Sequence, residues 1–212
     1  MLIPLPELIA RHGVDPTRIL HLGAHLGEEA DAYDAAGAEQ VVWVEANPAK
    51  IEPLMGNVAG RPGHEVIHAF LDATDGLEVT LHVANNGESS SLLPLGTHAR
   101  EHRDVKFVRD VHGISRTVDS ICADLGFEPT FVNIDLQGVE LPVLTGAQTV
   151  IGRLTPCTAV YAEVNRKRLY QGCTMVGQLD MFLRRLRFRR AETKWTRHGW
   201  GDALYTRKVT RG

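Results

Sequence analysis

The sequence lacks several features that would place it in familiar classes of protein. Its 212 residues include only three cysteines, Cys122, Cys157 and Cys173, and no CxxC pair, which argues against a disulfide framework and against structural zinc. It has no apolar run of about 18 residues, the length that a transmembrane helix needs. Its first residues, MLIPLPELIARHG, show neither a basic region nor a small-residue cleavage site. We therefore expect buried thiols and a cytoplasmic protein that contacts no membrane.

Positive charge is scarce in most of the chain and concentrated at its end. Residues 1–165 carry 10 Lys/Arg against 23 Asp/Glu, whereas residues 166–212 carry 13 against 3. One interpretation is an RNA-binding face. However, RRLRFRR (184–190) mixes charged with apolar positions, as a helix end entering a strand does. We favour a solvated surface and do not expect a nucleic-acid partner.

The chain length and the 43% of hydrophobic residues predict a single domain over residues 1–212. Helix-like stretches, among them TVDSICADLG with Thr117 as N-cap and Gly126 as stop, separate short apolar runs. This alternation predicts an α/β fold with a doubly wound, mainly parallel sheet that binds ligands at the carboxyl ends of its strands. The expected strands lie at 18–22, 40–46, 65–71, 77–85, 105–111, 130–136 and 158–164, followed by a hairpin of 188–195 with 202–208.

The turn HLGAHLGEE (21–29) follows the first expected strand. Its Gly23 and Gly27 are spaced GxxxG, so the GxGxxG fingerprint of dinucleotide binding is absent and a nicotinamide cofactor is disfavoured. A turn of small residues lets the backbone approach a ligand, and its amides can receive a carboxylate such as that of an amino-acid moiety. Glu28 and Glu29 would repel phosphate but tolerate a sulfonium cation. The turn therefore favours a cationic ligand with an amino-acid moiety, and the alternative is a tight turn that binds nothing.

Glu45 ends the second expected strand in VVWVEANP. A carboxylate at that place can accept hydrogen bonds from both hydroxyls of an adenosine ribose. The alternative is an exposed strand-end acid without a ligand.

Five segments occur in one order between about residue 18 and residue 207: HLGAHLGEE, VVWVEANP, NNGESSSL, TVDSI and FVNIDLQGVELPVLTGA. Through them the sequence resembles the FkbM family of S-adenosylmethionine-dependent methyltransferases. The last segment is similar to the family pattern KIDxEGxExxVLxGA. It departs from that pattern at two positions, where Asn133 stands for Lys and Gln137 for Glu, so a catalytic role is not transferred to either residue.

The resemblance implies a class I methyltransferase (Rossmann-like) fold, in which a seven-stranded sheet has its last strand inserted antiparallel and S-adenosylmethionine lies across the first strands. The loop after the first strand then lies under the methionine part, Glu45 meets the ribose and Asp72 the adenine amine, and residues 86–104 form a serine-rich loop over the site. The cofactor-binding residues implied are Gly23, Ala24, His25, Gly27, Glu45, Ala46, Asp72, Ser90, Ser91 and Asp135.

Methyl transfer is an in-line displacement at a sulfonium carbon, so the enzyme aligns a nucleophile and, for an alcohol, removes its proton. Asp135 ends the fourth strand of the implied sheet, where it would orient or deprotonate a hydroxyl, or help to ligate a divalent cation. Glu163 ends the next strand and is aimed at the same crevice. His25 is the titratable base of the first loop, with a hydrogen-bond donor as its alternative role. These three are the candidate catalytic residues, and a metal remains open.

Our interpretation is an O-methyltransferase that acts on a hydroxyl of a small molecule, a glycan unit or a secondary metabolite. A non-catalytic module that binds an adenosine ligand is the first alternative, because Asn133 and Gln137 depart from the family pattern. The second is an RNA methyltransferase that uses the basic end of the chain. The aromatic residues of KWTRHGWGDALY either floor the acceptor site or fill the outer core, and we favour the core.

Overall fold

The computed structural model describes residues 1–87, 89–97, 104–152 and 155–208. The described strands are Arg18–Leu22 (β1), Gln40–Glu45 (β2), His64–His68 (β3), Phe70–Leu71 (β4), Glu78–Ala84 (β5), Phe107–Arg116 (β6), Phe131–Ile134 (β7), Ala159–Asn165 (β8), Arg189–Trp195 (β9) and Trp200–Thr206 (β10). The described helices are Leu5–His12 (α1), Ala30–Ala35 (α2), Pro48–Val58 (α3), Val118–Leu125 (α4), Glu140–Thr145 (α5) and Val176–Arg185 (α6).

Seven strands form the central sheet in the order β3-β2-β1-β7-β8-β10-β9. Neighbours from β3 to β8 run parallel, whereas β10 runs antiparallel to both β8 and β9. The structure thus confirms the expected doubly wound, mainly parallel sheet and its antiparallel last strand. Since chain order reverses between β1 and β7, a crevice opens at the carboxyl ends of these strands.

Both faces of the sheet are buried, which explains the nearly continuous apolar runs of its central strands. In β2, Val42 and Val44 point into one core with side chains of α4, α5 and α6. The alternate residues Val41 and Trp43 point into a second core with side chains of α1, α2 and α3. This period of two follows from the pleat of a strand, and it places three helices on each side.

Helix α4 begins and ends as the sequence predicts. The Thr117 side chain accepts a hydrogen bond from the Ser120 amide, and Gly126 ends the helix in the left-handed conformation (φ 61°). Helix α5, which begins at Glu140, is regular only as far as Thr145. A Cβ at Gly146 would lie 2.6 Å from the Asp72 carbonyl oxygen, so the chain at this point packs directly on the backbone that follows β4.

A small second sheet of order β4-β6-β5 lies beside the main one. The expected single strand over 65–71 divides at Ala69, whose amide donates to the Glu45 carbonyl at the end of β2. Phe70 and Leu71 then pair with β6 instead of continuing along β2. The expected strand 105–111 extends to Arg116 because β5 and β4 both pair with it.

Among the helices described here, none is long and apolar enough to cross a bilayer.

Candidate active site

A cavity of about 580 Å³ opens at the carboxyl ends of β1, β2, β7 and β8. This is the place expected for a ligand in a doubly wound sheet, and its volume suits a small organic ligand, which needs about 300–1,000 Å³. Most of the residues predicted from the sequence line it: Gly23, Ala24, His25, Glu45, Ala46, Ser90, Ser91, Asp135 and Glu163.

The loop after β1 makes one wall of the cavity, and Gly23 determines its course. Gly23 has φ 85°, and a Cβ there would lie 1.9 Å from the Asp135 carbonyl oxygen. Only glycine permits both this backbone conformation and this approach. Glycine therefore brings the loop into direct contact with the end of β7, where a candidate catalytic acid follows.

The amides of this loop have partners within the protein. Those of Gly23 and Ala24 both donate to the Val44 carbonyl, at 2.9 and 3.0 Å, and that of Gly27 donates to Ala24. The His25 amide donates to the Glu45 carboxylate at 2.8 Å. The expectation that these amides receive a carboxylate is therefore not supported, since their hydrogens are already used in shaping the turn.

Glu45 lies at the end of β2 with each carboxylate oxygen held by a different loop. Oε1 accepts from the Asn47 amide at 2.7 Å, and Oε2 accepts from the His25 amide at 2.8 Å. Each oxygen of a carboxylate has about two acceptor positions, so one on each remains for a pair of hydroxyls. Burial raises the pKa of Glu45, against the lowering effect of these two amide bonds.

Two predicted cofactor residues, Gly27 and Asp72, do not line the cavity. A Cβ at Gly27 would meet Leu54 Cδ1 at 2.8 Å, so this glycine allows the loop to pack on α3. The Asp72 carboxylate accepts from the neighbouring Ala73 amide at 2.6 Å. Where Asp72 was expected to meet adenine, the cavity wall is formed by Ala69 and Leu71.

The serine-rich loop, residues 89–91, is folded onto the site. Ser91 Oγ donates to the Gln137 carbonyl at 2.8 Å, and Ser90 Oγ accepts from the Ala84 amide at 3.0 Å. The Ser89 carbonyl accepts from the buried Tyr170 hydroxyl at 3.2 Å. These contacts join the loop to the end of β5, to Gln137 and to Tyr170, and so hold it at the cavity. The predicted loop over 86–104 also includes residues 88 and 98–103, which lie outside the described part of the chain.

Asp135 and Glu163 meet at the ends of β7 and β8. The Gln137 side chain connects them, because its Nε2 donates to Asp135 Oδ1 at 2.7 Å and to Glu163 Oε2 at 2.9 Å. Asp135 is open to the cavity, whereas Glu163 is 6% exposed. The structure thus brings together the two acids that the sequence assigned to one crevice.

The protonation state of each of the two acids depends on that of the other. Burial raises the pKa of Glu163 well above its ordinary value, and the charges of Asp135 and Glu140 raise it further. Enclosure by protein and the charge of Asp202 also raise the pKa of Asp135. Two neighbouring carboxyl groups do not both ionise readily. We assign the proton to the more buried Glu163 and the negative charge to Asp135, which faces the cavity.

His25 lines the cavity, and its Nδ1 contacts Glu28. Its backbone has φ 48°, and Gln137 has φ 53°. Non-glycine residues seldom adopt this left-handed conformation, which often occurs at functional sites. Among the described residues other than glycine, only Arg187 besides these two shares it. The base role of His25 remains a prediction.

A neutral buried network occupies the position where the family pattern has lysine. Asn133 Nδ2 donates to the Tyr33 hydroxyl at 2.8 Å, and the same hydroxyl lies 3.1 Å from His21 Nδ1. Burial lowers the pKa of His21 to about 4, so its ring is neutral at neutral pH. Asn133 therefore serves an uncharged network beneath the cavity rather than supplying a cation.

Sequence reasoning missed Asp202, which lies opposite Glu163 on the antiparallel strand β10. Its Oδ2 accepts from the Tyr161 hydroxyl and from the Leu2 amide, each at 2.6 Å. An acid near the start of an inserted antiparallel strand necessarily lies at the carboxyl end of its parallel neighbour. The sequence segment DALY contains Asp202, but the place of this acid at the site follows only from the strand order. The α-amino group of Met1, paired with Glu29 at 3.0 Å, also lines the cavity and was not predicted.

The aromatic residues near the end of the chain divide between the two roles considered. Trp200 lines the cavity. Tyr205 is buried, and its hydroxyl donates to Asp180 at 2.9 Å. The Arg166 guanidinium stacks on Trp195, 3.7 Å from the centre of the tryptophan ring.

The sequence left a divalent cation open. The described residues offer no group of three or more His, Cys, Asp or Glu side chains arranged as ligands for one.

Comparison with known proteins agrees with this geometry. Residues 21–190 match the family model described as the methyltransferase FkbM domain. A search of curated proteins found no significant match. Among solved structures, a S-adenosylmethionine-dependent methyltransferase from Aquifex aeolicus is 9% identical, with 94% of this chain and 87% of that chain covered and a TM-score of 0.51.

Two further solved structures show the same similarity of fold. The magnesium protoporphyrin IX methyltransferase from Synechocystis, solved with bound S-adenosylmethionine, is 12% identical, covers 96% of this chain and 76% of its own, and has a TM-score of 0.53. The ribosomal protein L11 methylase from Lactobacillus delbrueckii is 13% identical, with 96% and 76% covered and a TM-score of 0.54. At these identities the likeness concerns the fold alone.

Proposed function

Because the chain belongs to the FkbM methyltransferase family, we propose that it is a S-adenosylmethionine-dependent O-methyltransferase that methylates a hydroxyl of a small molecule. One observation carries the proposal. A single cavity holds a fixed carboxylate suited to a ribose, Glu45, and an acid pair suited to proton transfer, Asp135 with Glu163. Gly23, which contacts the end of β7, connects the two.

The part of the cavity around β1 and β2 suits the cofactor. Glu45 offers acceptor positions to the two ribose hydroxyls, and Ala46, Ala69 and Leu71 offer an apolar wall to the adenine ring. The loop at Gly23 adjoins the methionine part. When bound, the cofactor supplies a methyl group on a positively charged sulfur.

The acid pair prepares the acceptor. Asp135 carries the negative charge and faces the cavity, so its carboxylate would orient the acceptor hydroxyl and take its proton as the oxygen displaces S-adenosylhomocysteine, whose sulfur keeps the electron pair of the broken bond to the methyl carbon. A base with a raised pKa is better matched to a reaction near neutral pH than an ordinary carboxylate. Glu163 keeps its own proton and so leaves Asp135 as the acceptor of the transferred one.

The charge of the cavity supports an uncharged acceptor. The carboxylates of Asp135 and Asp202 lie on the side away from Glu45, the described lining contains no Lys or Arg side chain, and the α-amino group of Met1 is already paired with Glu29. A phosphorylated or carboxylated acceptor would meet like charge there. A hydroxylated molecule such as a glycan unit, or a neutral secondary metabolite, meets acceptors for its hydroxyl hydrogens instead.

Calorimetric titration with S-adenosylmethionine, S-adenosylhomocysteine and NAD tests the cofactor. We expect the first two to bind and NAD not to bind. Glu45→Ala removes a buried acceptor pair worth about 1–3 kcal/mol, which corresponds to affinity weakened roughly 5- to 150-fold. Glu65→Ala, an exposed acid on β3, is the matched control. Unchanged affinity in Glu45→Ala would refute the ribose assignment.

Asp135→Asn tests turnover. The substitution keeps the shape of the side chain but removes the base, so we expect binding of S-adenosylmethionine to persist and methyl transfer to be lost. The readout is S-adenosylhomocysteine released in the presence of a panel of hydroxylated small molecules. If wild-type protein binds the cofactor and yields no product above background with any of them, the non-catalytic binding module is the better description.

A further inference from the structure

Gln137 is a residue to which the sequence resemblance assigns no role, yet its side chain contacts both acids of the site. It is the third residue after β7, and its backbone is in the left-handed conformation with φ 53°. The left-handed conformation turns the side chain back toward the sheet. A residue held in such a conformation needs surrounding contacts to maintain it, and Gln137 has them at its side-chain amide and at its backbone carbonyl.

Both groups of the side-chain amide are engaged. Nε2 donates its two hydrogens to Asp135 Oδ1 at 2.7 Å and to Glu163 Oε2 at 2.9 Å. Oε1 accepts from the Tyr170 hydroxyl at 2.8 Å. An amide has two donor hydrogens and an acceptor oxygen with two lone pairs, so both hydrogens are used and the oxygen has a partner.

The same residue is joined to the serine-rich loop. The Gln137 carbonyl accepts from Ser91 Oγ at 2.8 Å, and the Tyr170 hydroxyl that contacts Gln137 also contacts the Ser89 carbonyl at 3.2 Å. Tyr170 is fully buried. Both the backbone and the side chain of Gln137 therefore connect the acid pair with the loop that lines the other side of the cavity.

We propose that Gln137 is a positioning residue: its amide holds the carboxyl groups of Asp135 and Glu163 in one arrangement and joins that arrangement, through Tyr170, to the serine-rich loop. The inference rests on the proposed function, in which Asp135, beside the protonated Glu163, is the proton acceptor. A glutamate, which the family pattern has at this position, would add a third carboxyl group and donate no hydrogen bond when ionised. Glutamine adds no charge to the site and donates a hydrogen bond to each of the two acids.

The charged groups around the pair set the direction of the test. Asp202 faces Asp135 from β10, Glu140 faces Glu163 from α5, the α-amino group of Met1 lies on the same side, and Tyr170 faces both acids. Hydrogen bonds donated to a carboxylate lower its pKa, whereas a neighbouring negative charge raises it. Removing the amide or replacing it with a carboxylate therefore raises the pH at which the pair titrates.

The experiment is an NMR titration of the side-chain carboxyl carbons of Asp135 and Glu163 in the intact chain, with signals assigned from Asp135→Asn and Glu163→Gln. In Gln137→Glu and Gln137→Met we expect the midpoints of the pair to move upward by about one pH unit or more. Both replacements are unbranched, so they tolerate the local backbone no worse than glutamine does. Gln148→Glu, at an exposed position in the turn after α5, is the control and should leave the midpoints unchanged.

Tyr170→Phe keeps Gln137 but frees its amide to rotate, so we expect a smaller upward movement, and this variant serves if the Gln137 variants do not fold. Midpoints unmoved in folded Gln137→Met or in Tyr170→Phe would overturn the inference, because a side chain that only fills space would not alter the titration. Calorimetry with S-adenosylmethionine on the same wild-type sample separates the two proposals. Absence of binding with moved midpoints refutes the proposed function alone, and binding with unmoved midpoints refutes the role of Gln137 alone.

Discussion

At the scale of single residues, the contact between Gly23 and the Asp135 backbone shapes the site. The loop needs glycine at that position because the carbonyl oxygen of Asp135, the residue after β7, occupies the space that a side chain would fill. The spacing GxxxG alone assigned the same purpose to Gly23 and Gly27. The structure separates them, because Gly23 forms the site and Gly27 packs on a helix.

Gly23→Ala should be strongly destabilising. The left-handed conformation (φ 85°) costs a residue with a Cβ about 1–2 kcal/mol, and overlap with the carbonyl adds about 1–3 kcal/mol more. Gly37→Ala is the matched control, since Gly37 has the same φ of 85° but nothing within 4 Å of its would-be Cβ. Urea unfolding of both variants should show the larger loss for Gly23→Ala. Equal losses would mean that the loop shifts freely and that the contact with Asp135 is unimportant.

The sequence placed Glu45, Asp135 and Glu163 in the cavity because each of them ends a strand, and the ends of parallel strands meet at one edge. It misplaced Asp72 because the chain leaves the main sheet at Ala69, a break that no turn residue marks. Asp202 could not be assigned without knowing that the last strand is inserted between two others. Side-chain contacts across strands follow from strand order, which one sequence does not state.

At the scale of secondary-structure elements, the antiparallel strand β10 completes both the sheet and the site. It brings Asp202 opposite Glu163 at one end. At its other end Arg207 follows the strand and donates to the carbonyls of Cys157, Ile151, Leu186 and Thr155. This guanidinium also stacks on Phe188, 4.5 Å from the ring centre. A single arginine therefore joins the end of β10 to the segments before β8 and after α6.

Arg207→Met should weaken the fold by at least about 2 kcal/mol, because it leaves several half-buried carbonyls without donors. The apolar stem of methionine keeps much of the packing on Phe188, so the loss reports the hydrogen bonds. Arg189→Met, at an exposed position of the edge strand β9, should change stability by less than about 0.5 kcal/mol. Thermal or urea unfolding gives both values. Similar small losses in the two variants would show that Arg207 does not fasten β10.

At the scale of the whole molecule, three arginines of the basic end of the chain make contacts within the fold. Arg166 stacks on Trp195, Arg190 pairs with Asp180 at 3.0 Å, and Arg207 is bound to carbonyls as described. The excess of positive charge seen in the sequence is thus partly a set of internal contacts. Composition alone cannot distinguish a cation that serves the fold from one that faces a partner.

We accordingly predict that RNA is not the methyl acceptor. Fluorescence anisotropy with a single-stranded RNA oligonucleotide should show only the weak, salt-sensitive association typical of non-specific binding, with Kd of about 10⁻⁴–10⁻⁶ M at physiological salt. No S-adenosylhomocysteine should form when RNA is the only acceptor offered. Nanomolar binding at physiological salt, or product formed on RNA, would contradict the prediction and favour a nucleic-acid substrate.

The central claim is that S-adenosylmethionine binds across the ends of β1 and β2 with its reactive end beside Asp135. The most direct measurement is a crystal structure of the protein with S-adenosylhomocysteine. We predict that both ribose hydroxyls lie within hydrogen-bond distance of the Glu45 carboxylate and that the sulfur lies on the Asp135 side of the Gly23 loop. A ligand bound elsewhere, or one in this cavity whose ribose is not held by Glu45, would contradict the account.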